Sequence, residues 1–167
     1  DRSGVALLLA EAADAFDKMM DAFNGTQFQW KQNTFVTSSY RSYQKQVELA
    51  NGASAGNAAR PGTSMHGWGV AVDFWWGLKV RYNRDPAFLK VAFAHPNYKW
   101  FFENAHKYGW YSPVTLRDGM GRQEEWWHWE YHGLQGAPAP PVTAYSGGFD
   151  QSSIAYIRSK GDCDFRT

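Results

Sequence analysis

Two short stretches of the chain carry the residue types needed to bind a metal ion and to move protons. The first, Ser64–Asp73, contributes His66 and Asp73, and the second contributes Glu125 and His128. Catalytic zinc sites use three protein ligands and leave one position open for water, and a separate carboxylate must accept the proton of that water. His66, Asp73 and His128 can supply the three ligands, so the sequence predicts the metal centre of a hydrolase.

The spacing within the first stretch requires a bend in the backbone. His66 and Asp73 are seven residues apart, and an odd separation places two side chains on opposite faces of a regular strand. Both can reach one metal ion only if the chain bends at Gly67-Trp68-Gly69, where glycine permits a bulge or a close backbone approach. The segment Gly69–Phe74 then alternates small and β-branched residues, which predicts a buried strand.

Two adjacent carboxylates, those of Glu124 and Glu125, are candidates for the proton-transfer group. In a regular strand His128 shares a face with Glu124, Trp126 and Glu130, which favours Glu124 as the base. Glu125 can serve only if the strand begins after it, so that its side chain projects from the preceding turn. Periodicity leaves both assignments open.

Arg41 lies at a predicted turn between a strand and a helix, where side chains commonly point into a site. Extended chain is predicted over Phe28–Ser38, with its most strand-like residues at 35–37. A helix is predicted over Tyr43–Ala50, with Ser42 as its N-cap and Asn51-Gly52 at its end. A solvated surface arginine would have the same local sequence, so position alone does not give Arg41 a role.

The remaining pattern predicts helices combined with a small antiparallel sheet that carries the site, which is an α+β fold. Four further helices are predicted from apolar periodicity and capping residues, over Val5–Phe23, Asp85–Ala94, Asn97–Lys107 and Gln151–Lys160. His95 and His106 lie in or beside these helices and are expected to cap them or to face solvent. Residues 1–134 are predicted to form the catalytic domain, and residues 135–167 a Pro/Gly-rich linker with a short tail packed on that domain.

Composition excludes several classes of protein. The 167 residues carry a formal net charge of +1, and the basic residues are scattered, so nothing indicates nucleic-acid binding. No apolar run approaches the roughly 20 residues of a membrane span. The single cysteine, Cys163, excludes an internal disulfide. Five of the nine tryptophans could line a groove or equally pack the core: Trp68, Trp75, Trp76, Trp126 and Trp129.

The two metal-binding stretches match the motifs of a known family. Ser64-x-His66-x-x-Gly69-x-Ala71-x-Asp73 fits S-x-H-x-x-G-x-A-x-D, and Glu125-x-Trp127-His128 fits E-x-W-H. Tyr40-Arg41-Ser42 with Gln46 resembles an upstream Y-R-S-x-x-x-Q segment. The chain thus resembles, over Thr37–Tyr131, the zinc D-alanyl-D-alanine carboxypeptidases and the related L-alanyl-D-glutamate endopeptidases of phage endolysins (the VanY-like LAS peptidoglycan peptidases). Many relatives have proline where this chain has Trp126.

The resemblance implies a role for each matched residue. Zn²⁺ would be held by His66, Asp73 and His128, and Glu125 rather than Glu124 would be the general base and acid. Arg41 would bond the substrate carbonyl or the oxyanion, a task that suits its permanently charged guanidinium. The resemblance also implies that Ser64 and Gln46 make secondary contacts to the substrate. We add Trp68 and Trp126 as candidate substrate-binding residues of a groove.

We therefore expect a zinc-dependent hydrolase, a metallopeptidase that cuts an amide bond in peptidoglycan stem peptides or cross-links during cell-wall degradation. D,D-carboxypeptidase, D,D-endopeptidase and L-alanyl-D-glutamate endopeptidase share the motifs. The alternative is a non-catalytic, Trp-rich wall-binding module on the same fold, and a zinc-bound signalling domain of the hedgehog type is a third reading. The expected partner is peptidoglycan, the chain is expected to be a monomer, and it would act as a secreted, extracytoplasmic enzyme or as a phage lysin.

Overall fold

The structure is a computed structural model that describes residues 5–24, 35–52, 58–76, 78, 85–112, 125–134 and 154–158. The described strands are β1 (Val5–Leu9), β2 (Phe35–Ser38), β3 (Ala71–Trp75), β4 (Trp110–Tyr111), β5 (His128–Tyr131) and β6 (Ile154–Arg158). The described α-helices are α1 (Ala10–Asn24), α2 (Tyr43–Asn51), α3 (Pro86–Ala94) and α4 (Pro96–Asn104). The predicted α+β class, with a small antiparallel sheet and flanking helices, is confirmed.

The four-stranded antiparallel sheet brings the two metal-binding stretches together. Its strand order is β2-β3-β5-β4, so β3 and β5 are central neighbours although more than fifty residues separate them in the chain. Their register places Asp73 opposite His128 and Ala71 opposite Glu130. Directly opposed residues in an antiparallel pair have closely spaced side chains on one face of the sheet, so the register alone puts two predicted ligands in contact range.

Helix α1 covers one face of this sheet and supplies much of the core. Its buried residues recur at helical spacing: Ala12, Ala13, Phe16, Met19, Met20 and Phe23. The Phe16 ring stacks on Phe74 of β3 at 5.9 Å and meets Trp110 of β4 edge-on at 5.6 Å. Burying one side chain such as Phe16 is worth about 2–3 kcal/mol, so α1 anchors the sheet from which the site is built.

The first five described residues form a strand, so the prediction of a helix starting at Val5 is wrong, and α1 begins at Ala10. One edge of β1 pairs with β6. On the other edge, the Leu7 N–H donates to Ser39 Oγ (3.0 Å), the Leu7 carbonyl accepts from Tyr40 N (2.9 Å), and Leu9 N donates to Gly69 O (2.8 Å). The run Val-Ala-Leu-Leu-Leu is apolar at every position, so its pattern alone does not distinguish a helix from a strand. The hydrogen bonds on both edges satisfy its backbone groups as a strand.

The tail segment 154–158 is also a strand, so the predicted helix over Gln151–Lys160 is wrong for these residues. It runs antiparallel to β1, with Val5 opposite Arg158 and Leu9 opposite Ile154. Isoleucine and tyrosine favour strands. The free edge of β1 also supplies backbone partners for this segment, and a partner so remote in sequence cannot be recognised from local helix signals.

The predicted caps of the short helices are present. Ser42 Oγ accepts from Lys45 N (3.2 Å) at the start of α2, and Asp85 Oδ1 accepts from Ala87 N (2.9 Å) at the start of α3. His95 caps α4 through Nδ1, which accepts from Asn97 N (3.2 Å), and its burial lowers its pKa. The helix predicted over Asn97–Lys107 is divided into α4 and a 3₁₀ turn, Ala105–Tyr108.

No helix in the described part of the chain is both long enough and apolar enough to cross a membrane. Several predictions concern residues outside the described ranges: the extended segment 28–34, the linker from residue 135, Glu124 and Cys163.

Candidate metal centre

The three predicted ligands form one compact cluster. The ligand atoms of His66, Asp73 and His128 all lie within 4.8 Å of one another. Asp73 Oδ1 is at the middle of the set, 3.3 Å from His66 Nε2 and 2.8 Å from His128 Nδ1. All three residues are buried, with 4–7% of their surface exposed, so the sequence correctly predicts that these residues come together.

The bend that the odd spacing requires is a 3₁₀ turn over Met65–Trp68, followed by Gly69 in the left-handed conformation with φ of 67°. A Cβ atom on Gly69 would lie 2.9 Å from the backbone nitrogen of Leu9, so both conformation and space demand glycine there. Gly67 differs, because among the described residues the nearest atom to a Cβ at that position would be Arg41 O, at 3.8 Å. The bend therefore depends on Gly69, and not equally on Gly67.

The ring nitrogens that face away from the cluster each have a partner. His66 Nδ1 lies 2.7 Å from the Ser39 carbonyl, which can only accept a hydrogen bond, so this nitrogen donates, and in the neutral ring the lone pair would be on Nε2. His128 Nε2 lies 3.1 Å from Glu130 Oε1, which likewise makes Nε2 the donor. Such outward partners fix the tautomer of a metal-ligating histidine, and here they direct His66 Nε2 and His128 Nδ1 towards Asp73.

The charges of the metal-free cluster are strongly coupled. Burial alone would raise the pKa of Asp73, but the charges of His66 and His128 and the hydrogen bonds from them hold it well below its usual value. Burial alone would lower the pKa of His128, yet the hydrogen bonds to Asp73 and Glu130, together with their charges, raise it to about 10. These hydrogen bonds and charges favour the protonated form of His128 as long as no cation is bound.

The second motif forms a turn before its strand. β5 begins at His128, Trp126 and Trp127 form the turn, and the His128 N–H donates to the Glu125 carbonyl at 3.1 Å. Glu124 was favoured on the condition that residues 124–128 form one strand, and the turn at residues 126 and 127 does not meet that condition. Glu125 is partly exposed and precedes the strand, which is the condition under which it can project from the turn.

Both the backbone and the side chain of Arg41 are held by hydrogen bonds. Its backbone N–H donates to the His66 carbonyl (3.0 Å). Its guanidinium donates from Nη1 to Gln46 Oε1 (2.8 Å) and from Nη2 to Ser38 Oγ (3.4 Å). Gln46 is only 2% exposed, and its Nε2 donates to the Ala59 carbonyl (2.6 Å). Both ends of the Gln46 amide are thus engaged, one with the Arg41 guanidinium and the other with the Ala59 carbonyl.

The remaining predicted substrate contacts fall into two groups. Trp68 is partly exposed, whereas Ser64 is buried and has no capping hydrogen bond from its side chain. Trp126 is fully buried and lies close to Phe88 and Trp127, so the structure places it in the core instead of a groove. Trp76 and Trp129 are core residues as well, with 1–2% exposed, because each ring packs against Phe101.

Two residues that the sequence did not assign also belong to the centre. Glu130 Oε1 contacts His128, and Glu130 Oε2 lies 3.0 Å from His132 Nε2. Burial alone would raise the pKa of Glu130, but the hydrogen bonds from the two histidines, and their charges, lower it to about 2. Residues 128, 130 and 132 alternate as one face of a strand, and this period-two pattern is the signal that could have found them.

The amino-acid sequence around the metal cluster matches a known protein family. Residues 6–134 match the family model described as VanY, D-alanyl-D-alanine carboxypeptidase. The chain belongs to the VanY family. This family consists of peptidoglycan metallopeptidases, and the match covers every residue of the metal cluster. No curated protein sequence is significantly similar to the chain.

Solved structures of VanY-type proteins share the fold. The LD-carboxypeptidase LdcB is 26% identical with a TM-score of 0.54, and the alignment covers 77% of this chain and 60% of LdcB. A vancomycin-resistance D,D-pentapeptidase VanY in complex with Zn(II) is 23% identical with a TM-score of 0.50, covering 77% and 74%. DacB from Streptococcus pneumoniae is 21% identical with a TM-score of 0.51, covering 81% and 72%. The chain thus spans about three fifths of the length of LdcB.

Proposed function

We propose that this chain is a zinc peptidase that hydrolyses an amide bond in peptidoglycan stem peptides or cross-links. The observation that carries the proposal is the buried His66–Asp73–His128 cluster on a VanY-family domain. Two imidazole nitrogens and one carboxylate oxygen form a donor set that suits zinc. With only these three protein ligands, a bound zinc ion would still have room for a water molecule, as a catalytic site requires.

Zinc bound to these three residues would lower the pKa of a water molecule and polarise the scissile carbonyl. Glu125, at the turn before β5, would accept the water proton and return it to the leaving amine. Arg41 would donate to the carbonyl oxygen as negative charge develops there. The bonds from Arg41 to Gln46 and Ser38 fix this guanidinium before substrate arrives, which reduces the reorganisation needed during the reaction.

The bond that is cut defines the physiological role. We propose that the enzyme cuts the D-alanyl-D-alanine bond after which the family is named. It would then act as a carboxypeptidase and release the terminal D-alanine of the stem peptide. Cleavage of cross-links or of the L-alanyl-D-glutamate bond would instead indicate an endopeptidase of the endolysin type. In all three cases the substrate is the cell wall. The protein would reach it either as a secreted, extracytoplasmic enzyme or as a phage lysin.

Digestion of purified peptidoglycan, followed by mass spectrometry of the muropeptides, tests the proposal. The protein loaded with one equivalent of zinc is compared with the His128→Ala variant and with chelator-treated protein. Loss of a terminal alanine only with the zinc-loaded protein supports the carboxypeptidase. A protein that binds the wall and releases no product from it would be the non-catalytic module, and this result would overturn the proposal.

A further inference from the structure

Glu130 joins two histidines in the interior of the domain. Its Oε1 lies 3.1 Å from His128 Nε2, and its Oε2 lies 3.0 Å from His132 Nε2. The three side chains are each at least nine-tenths buried, with 9%, 7% and 7% exposed for His128, Glu130 and His132. A carboxylate can only accept, so both imidazoles donate their Nε2–H groups to it.

The contact on His128 determines which of its nitrogens is available as a ligand. With its proton fixed on Nε2 by Glu130, the neutral ring has its lone pair on Nδ1, which lies 2.8 Å from Asp73 Oδ1. Without an acceptor at Nε2, the neutral ring could equally place its proton on Nδ1 and block the ligand atom. A partner on the outer nitrogen also makes the inner nitrogen more basic and limits rotation of the ring.

The charge of Glu130 suits the proposed metal as well. A divalent zinc ion bound by two neutral imidazoles and one carboxylate leaves one uncompensated positive charge in a buried site. A buried charge without a partner is costly. Glu130 lies on the other side of the His128 ring from the ligand atom Nδ1, and its carboxylate provides one negative charge within the buried site.

His132 in turn restrains Glu130. Its backbone N–H donates to the Gly109 carbonyl (2.8 Å), and its ring meets Tyr111 edge-on at 6.0 Å. Its Nδ1 is buried and has no hydrogen-bond partner among the described residues. The polar contact that its ring makes in this part of the chain is therefore the one to Glu130.

We propose that Glu130 is a positioning residue of the metal centre, which fixes His128 for ligation through Nδ1, and that His132 holds Glu130 in place. This inference rests on the proposed zinc site formed by His66, Asp73 and His128. The two buried contacts, from His132 to Glu130 and from Glu130 to His128, would extend the site beyond its three ligands.

Zinc affinity is the decisive readout, because a purely structural role of Glu130 would alter stability and leave the affinity unchanged. We would measure zinc dissociation constants by competition with a chromophoric chelator for wild type, Glu130→Gln, Glu130→Ala and His132→Phe. The glutamine variant keeps the shape of Glu130 and removes its charge, and we expect affinity to fall by about 10- to 100-fold. The His132→Phe variant keeps a ring against Tyr111 and should show a smaller loss.

Glu11→Gln is the matched control. The Glu11 carboxylate accepts from the Tyr131 hydroxyl at 2.8 Å, so it bonds a neighbour of Glu130 on β5 and none of the metal ligands. Its zinc affinity should equal that of wild type, and circular dichroism of each metal-free variant checks the fold.

Three outcomes would count against the inference. Folded Glu130→Gln and Glu130→Ala variants that bind zinc as tightly as wild type would overturn it, while the zinc site itself would stand. If both fail to fold, an unchanged affinity in His132→Phe would overturn the line of contacts. If wild type binds no zinc, the proposed function fails and this inference fails with it.

Discussion

His128 and Asp73 face each other directly across the β3–β5 pair, and His128 Nδ1 lies 2.8 Å from Asp73 Oδ1. This contact joins two motifs that are 55 residues apart in the chain. Because it is set by strand register, its distance depends on the whole central sheet and not on a flexible loop. The metal centre should therefore respond to changes in either strand, and its ligands should act as one unit.

Removal of one ligand should abolish tight metal binding. Asp73→Ala deletes the oxygen that lies between both imidazoles, so zinc affinity should fall by more than the roughly 10- to 100-fold that loss of an outer partner causes. His106→Ala, on the exposed surface of the 3₁₀ turn after α4, is the control and should bind zinc normally. Isothermal titration with zinc would measure both. Retained affinity in Asp73→Ala would mean that the cluster is not the metal site.

The assignment of the base is tested with two adjacent glutamates. Glu125→Ala should retain zinc but lose about 10²- to 10⁴-fold in kcat, the range typical of a missing general base. Glu124→Ala should leave kcat close to wild type. Rates of alanine release from a stem pentapeptide would measure both variants. The opposite ranking would transfer the proton-transfer role to Glu124.

Gln46 should affect catalysis through Arg41. Arg41→Ala is expected to lower kcat by about 10²- to 10³-fold, as loss of an oxyanion donor does. Gln46→Ala removes the 2.8 Å bond that orients the guanidinium and should cost on the order of tenfold, equivalent to about 1.4 kcal/mol. The Arg41→Ala/Gln46→Ala double variant should resemble Arg41→Ala alone. Additive losses in this cycle would show that Gln46 acts independently of Arg41.

The two glycines of the bend provide a matched pair for stability. Gly69→Ala should lower the free energy of unfolding by roughly 2–3 kcal/mol, from a left-handed backbone and a disturbed hydrogen bond to Leu9. Gly67→Ala should cost less than about 1 kcal/mol, because a Cβ atom there has only ordinary contacts. Chemical denaturation of the metal-free protein measures both. Equal losses at the two positions would contradict the distinct roles assigned to them.

Zinc binding should strengthen as the pH rises. In the metal-free site the pKa of His128 is raised to about 10, so at neutral pH a proton occupies the ring and must leave before Nδ1 can bind the ion. Because zinc must displace this proton, a lower pH increases the competition from protons and weakens binding, by up to about tenfold per pH unit for one displaced proton. Titrations at several pH values, with the protons released measured in buffers of different ionisation enthalpy, would check this. An affinity independent of pH would show that His128 is already neutral before zinc binds.

The features that the sequence predicts well are those that depend on residue type and local geometry. The odd spacing of His66 and Asp73 requires a bend, and the bend is present at Gly69. The N-caps Ser42 and Asp85 act within one helical turn, so their positions can be found without knowledge of the fold.

Other features depend on partners that are remote in sequence. The strand Val5–Leu9 exists because segment 154–158 and the backbone near Tyr40 and Gly69 satisfy its two edges, and no local pattern shows this. The burial of Trp126 likewise depends on packing against α3. The period-two spacing of His128, Glu130 and His132 indicates a shared face, but the 3.0 Å contact between Glu130 and His132 also depends on the side-chain conformations.

The pairing of β1 with β6 has a consequence for protein engineering. Val5 and Arg158 lie opposite each other, so the two ends of the folded unit meet at one place although they are the most distant described residues in sequence. A short turn could join Arg158 directly to Val5 in an engineered version of the described domain, and new termini could then be opened at an exposed connection elsewhere. Such a circular permutant would keep the central sheet continuous, and it would allow a fusion partner to be attached at a chosen distance from the metal centre.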